Sequence, residues 1–159
     1  MENMDYVVML RESLEKKADI LRVLLIRNKE QAAILNDPNT SPDDLEKNIN
    51  MKAELVDRLV MLDDGFEQLF NRVKDIIEAD RDTYADEIKL MQDLIRQVTD
   101  LSADVQASEY KNKEYAKARF AKVRSDAREI KKSNDVVTSY YKNMMSVTTP
   151  DPAFLDKKK

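Results

Sequence analysis

Apolar residues return every three or four positions along almost the whole of this chain, with only two interruptions before its last prolines. That spacing is the period of an amphipathic helix, and it leaves little room for a sheet. The first stretch sets Val7, Leu10, Leu14, Leu21 and Leu24 on one face. It stops at Asn36-Asp37-Pro38, because proline has no N–H to continue the helix. Ser41-Pro42-Asp43-Asp44 then starts a second helix: a serine cap, a proline at the first helical position and acids in the first turn. Leu55, Leu59, Leu62, Phe66, Leu69, Val73 and Ile76 follow at alternating gaps of four and three, which is a heptad seam.

The second interruption is the charged run EADRDTYAD, residues 78–86. It reads as a reversal at Asp80 to Asp82, with Thr83 as cap and Asp86 three residues on; the alternative is one helix running straight through. A third stripe follows through Ile88, Met91, Ile95, Val98 and Val105, with Leu94 and Leu101 beside it. A single glycine, four prolines and 36% charged residues suit long helices and not the turns a sheet protein needs. The expected fold is all-α: an antiparallel three-helix bundle or coiled coil, with a long C-terminal helix extending beyond it.

The extension follows from a mismatch of lengths. The first two helices are each about 50–55 Å long, so a third helix folded against them runs out of partners near residue 120. The stripe does not stop there. Phe120, Val123, Ala127, Ile130, Val137, Tyr141 and Met144 continue it, and no proline or glycine intervenes before Pro150. Residues 1–120 are therefore expected to form the bundle body, and residues 121–159 an amphipathic helix and tail. Charge divides the chain near the same place. Residues 106–159 hold 13 Lys and Arg against 7 Asp and Glu, whereas the remainder holds 14 against 24. Such asymmetry points to a separate role for the C-terminal part.

The absences are informative. There is no histidine and no cysteine. A phosphate-binding glycine loop, a dinucleotide fingerprint, a zinc site and a His-assisted nucleophile cannot be written without those letters. Carboxylate-only catalysis or a Mg²⁺ site stays formally open, but the acids fall mostly at solvent-facing helical positions. No catalytic, cofactor-binding or metal-ligating residue is expected, and the chain is read as a non-enzyme. No apolar run is long enough to span a membrane, and the acidic start MENMDYVVML is unlike a signal peptide, so a cytoplasmic location is expected.

Four features admit a bland and a sharp reading. Asn28, on the first seam, is either a solvated or satisfied polar residue or a register-setting contact with a neighbouring helix. Gly65 costs about 1 kcal/mol against alanine in mid-helix; it permits close packing beside Phe66 or marks a kink. Lys111, Lys113, Lys117, Arg119, Lys122, Arg124 and Arg128 form a solvated basic face or a phosphate-binding one. Glu114, Asp126 and Glu129 interleave with them, so no nucleic-acid partner is expected, and without tryptophan no membrane insertion is expected either. Tyr140, Tyr141, Met144 and Met145 either cover the bundle or a second copy, or they form a partner-binding surface. Methionine adapts to varied shapes, and tyrosine is enriched where interfaces concentrate their energy.

The segments RNKEQAAILND and KAELVDRLVMLDDGFEQLFNRV, with the ending SYYKNMM…PDPAFLDKKK, together resemble the FlgN-type flagellar export chaperones of Gram-positive bacteria. The resemblance implies a small cytoplasmic helical protein. It implies binding to the C-terminal amphipathic segment of hook–filament junction (hook-associated) proteins, which are kept from polymerising and delivered to the flagellar type III export apparatus. It implies that Val123, Ala127, Ile130, Val137, Tyr140, Tyr141, Met144 and Met145 engage that cargo. Asn112 and Asn134 weaken the stripe as a self-sufficient core, and residues 100–120 match no pattern of the family. The alternative expectation is a homo-oligomeric coiled-coil adaptor, with a homodimer as its simplest form.

Overall fold

A computed structural model of the chain describes the backbone of residues 2–137 and side chains to residue 131. Those residues form three α-helices and no strand: α1 (Asn3–Asn36), α2 (Pro42–Ala79) and α3 (Ala85–Val137). The boundaries have local causes. Asp37-Pro38 ends α1. Ser41 and Asp44 start α2 reciprocally, the Ser41 N–H donating to the Asp44 carboxylate and the Asp44 N–H to the Ser41 carbonyl, both at 3.1 Å. Between α2 and α3 the chain does reverse. Asp80, not a hydroxyl cap on α3, organises this turn: its carboxylate accepts from the Thr83 N–H and from the Thr83 hydroxyl. Tyr84 then accepts the first α3 bond, from the Ile88 N–H at 2.8 Å, and buries its ring.

α1 is the spine. Val7, Leu10, Leu14, Ala18, Ile20, Leu21, Leu24 and Leu35 are all buried on it, and α2 and α3 each pack along it. Pairs along α1 and α2 run in opposite directions, with Lys17 on Asp63 and Gln31 on Lys52. Pairs along α1 and α3 climb together: Arg11 on Glu87, Arg22 on Gln97, Asn28 on Ser108. At the turn end, Val7, Leu10, Leu14, Val73, Tyr84 and Met91 make one cluster. Arg11 ties this end together, bonding Glu87 and Glu15 at 2.6 Å each, and these partners, Glu87 foremost, hold its proton more firmly than usual. At the other end Leu35, Leu45, Ile49, Ala116 and Phe120 make a second cluster. Burying one such Leu or Phe contributes about 1.5–3 kcal/mol.

Two details differ from the sequence reading. Ile95 is exposed, and Leu94 and Leu101 take the inward positions beside it. Gly65 does not permit a close approach: a Cβ there would meet nothing within 4 Å. Its neighbour Phe66 instead stacks on Phe70, with ring centroids 6.0 Å apart.

Candidate functional site

A polar layer crosses the bundle where the three helices carry Asn28, Lys52 and Asn112. Asn28 donates through Nδ2 to the Ser108 hydroxyl at 2.7 Å, and that hydroxyl donates to the Val105 carbonyl at 2.8 Å. Asn112 Nδ2 donates to the Asn28 carbonyl at 2.9 Å and to Gln31 Oε1 at 3.1 Å. The same Gln31 oxygen accepts from Lys52 Nζ at 3.1 Å, and Lys52 forms an ion pair with Glu109 at 2.6 Å. Asn48 joins from α2, donating to the Arg27 carbonyl at 2.9 Å. A one-turn slip of α3 on α1 would leave these groups buried without partners, so the layer fixes register. Asn28 is thus a buried polar contact between α1 and α3.

Arg119 closes the bundle just above. Its guanidinium donates to the carbonyls of Ile34 and Asp37, each at 2.7 Å, and to the hydroxyl and carbonyl of Thr40 at 3.0 and 3.1 Å. These include carbonyls that the end of α1 leaves without helical partners. Arg119 is thus a half-buried structural clamp and not a member of a free basic face, and Lys117 pairs with Glu114 at 3.4 Å. The residues around it, Lys111, Lys122 and Arg128, are exposed.

Phe120 is the last buried residue of α3 among the described side chains. Beyond it the helix continues to Val137, about 25 Å further. Val123 and Ala127 on this stretch are half-buried, and Ile130 is 53% exposed. The three share one edge at gaps of four and three. Val137 ends α3, with its side chain outside the described residues; Tyr140, Tyr141, Met144, Met145 and Asn134's side chain also lie outside them.

A second surface went unread in the sequence. Between α2 and α3, over Leu21 and Leu24 of α1, lies a cleft of about 820 Å³. No residue of α2 between Leu55 and Val73 is buried, and none of α3 between Met91 and Asn112. Val56 and Tyr110 are exposed along the cleft at 44% and 68%. A signal did exist: Val56 and Val60 stand beside Leu55 and Leu59 and widen the α2 stripe to two residues, which is more than one neighbour can cover.

Among the described residues, no group of acids could hold a metal ion and no helix is long and apolar enough to cross a membrane. No protein-family model, curated protein or solved structure matches this chain.

Proposed function

We propose that the chain is a cytoplasmic, non-enzymatic export chaperone that holds an amphipathic helix of its cargo against the extension of α3. In this reading residues 1–120 are an antiparallel bundle body, and residues 121–159 are the binding arm that outgrows it. The cargo class is the one the resemblance implies: the C-terminal segment of flagellar hook-associated junction proteins, bound for the type III export apparatus. The observation that carries the reading is the edge Val123, Ala127 and Ile130, which lies past the last bonds of Arg119 and, among the described residues, past the last buried side chain of α3, Phe120. An apolar helical edge of that kind is covered by a second amphipathic helix, read as anchors three and four residues apart. Such a cargo segment would self-associate through its own apolar face unless it were covered.

Titration of synthetic junction-protein C-terminal segments into the intact chain tests this. Saturable binding, lost in Ile130→Glu, supports it. Absence of binding to every such segment removes the flagellar reading.

A homo-oligomeric adaptor is the second reading, and the open cleft between α2 and α3 favours it.

A further inference from the structure

Where the helices of this chain pack on one another, bases beside the seam meet acids of the next helix. Arg11 of α1 reaches Glu87 of α3 at 2.6 Å, Lys17 of α1 reaches Asp63 of α2 at 2.7 Å, and Lys52 of α2 reaches Glu109 of α3 at 2.6 Å. The α3 extension carries the basic half of such a seam. We infer that the helix it holds has acids along one flank of its apolar stripe, and that Arg124 and Lys131 select it. This rests on the reading that the edge Val123, Ala127 and Ile130 binds an amphipathic helix. It does not rest on the flagellar origin of that helix.

The placement follows from the helical period. Each residue stands about 100° around the helix from the one before. Arg124 and Lys131 therefore fall on the same side of the edge, about 70–90° from its middle, with Arg128 further round that side. On the other side Asp126 stands about 70° away, with Lys122 and Glu129 beyond it. One flank thus holds three bases and no acid; the other holds two acids and one base. Arg124 and Lys131 are seven residues apart, so they occupy equivalent places in a heptad. Side chains that flank an apolar seam in this way set partner choice.

The bases have no acid to themselves. Among the described residues, none of Arg124, Arg128 and Lys131 forms an ion pair. Arg128 and Lys131 are exposed and Arg124 is half-buried. Arg124 and Arg128 lie four residues apart, and Arg128 and Lys131 three. Like charges at those spacings weaken a helix. A facing helix with carboxylates on this flank relieves that repulsion and repeats the arrangement that Arg11 and Glu87 already show within the chain.

The acidic side decides among anionic occupants. A lipid headgroup layer or a nucleic-acid backbone is anionic on both sides of any helix laid on it, and would meet Asp126 and Glu129 as well as the bases. A second copy laid antiparallel along the edge would set Arg124 and Lys131 against the same bases of its partner. A helix with acids on one flank alone avoids both conflicts.

Three synthetic helices test this. All carry the same leucine and valine stripe at heptad spacing, with glutamines along one flank. The other flank is glutamate in the first, lysine in the second and glutamine in the third. Each is titrated calorimetrically, at low ionic strength, into the full chain and into Arg124→Glu/Lys131→Glu. The unsubstituted chain is expected to bind the glutamate helix about ten-fold more tightly than the lysine helix, with the glutamine helix between them. The double variant is expected to invert that order, and added salt to narrow the difference. Equal affinity for all three helices overturns the inference and leaves the edge as a helix-binding surface. Binding of none overturns it too, and the underlying reading then stands or falls on the junction-protein segments. An order unchanged in the double variant overturns the assignment to Arg124 and Lys131. So does binding of phosphatidylserine vesicles that the double variant loses, which would make the extension a membrane-surface helix.

Discussion

Arg119 and Thr40 are joined by two hydrogen bonds, from the guanidinium to the Thr40 hydroxyl at 3.0 Å and to its carbonyl at 3.1 Å. They mark the level at which the bundle ends. Below it α3 packs along α1; above it α3 continues with the edge Val123, Ala127 and Ile130, past its last buried residue among the described side chains.

Arg119→Ala should destabilise the chain by about 1.5–3 kcal/mol, the range for hydrogen bonds to a charged group. Arg119→Lys should recover only part of that loss. An ammonium cannot reproduce the planar fork that reaches two carbonyls and Thr40 together. Urea denaturation of the three proteins measures both differences. Equal midpoints would mean that the 37–41 loop is held by other contacts.

The two seam asparagines should not behave alike. Asn112→Leu strips partners from the Asn28 carbonyl and from Gln31, and should cost about 1–3 kcal/mol. Asn28→Leu removes one bond, to Ser108, together with a carboxamide oxygen that is buried without a partner. It should cost clearly less. The ordering of the two midpoints in urea is the check.

Gly65→Ala should stabilise the chain by about 1 kcal/mol, since the methyl meets nothing and the unfolded chain loses freedom. Thermal unfolding followed by circular dichroism reads it as a rise in Tm. A fall would show that another molecule approaches α2 closely at this point.

Much of this architecture is legible in the letters, and the illegible parts share a cause. Asn36-Asp37-Pro38 and Ser41-Pro42 declare a helix end and start because capping and proline act within one turn. The α1 seam of Val7, Leu10, Leu14, Leu21 and Leu24 is buried as the spacing predicts. Periodicity, however, reports which side of a helix is apolar, not how far its neighbour stands away. The α2 seam from Leu59 to Leu69 looks as complete as that of α1, yet Leu59, Leu62, Phe66 and Leu69 are only half-buried. Ile95 against Leu94 is a choice between adjacent positions 100° apart, which packing on α1 decides. Arg119 looks like one more member of a basic run, because nothing local reveals that the end of α1 lies within its reach. Asn28 and Asn112 are the exceptions: a polar residue on an apolar seam is visible in the sequence, and its partner is found one helix away.

The extension's edge should matter for binding and not for folding. Val123→Glu/Ile130→Glu should unfold at the same urea concentration as the unsubstituted chain to within about 0.5 kcal/mol, as substitutions away from the core do.

The most direct measurement is calorimetric titration of junction-protein C-terminal helices into the full chain and into that double variant. The account predicts saturable binding by the full chain and at least a ten-fold loss in the variant. Equal affinity in both, with the variant folded, would contradict the claim that the unaccompanied edge of α3 is the surface that binds.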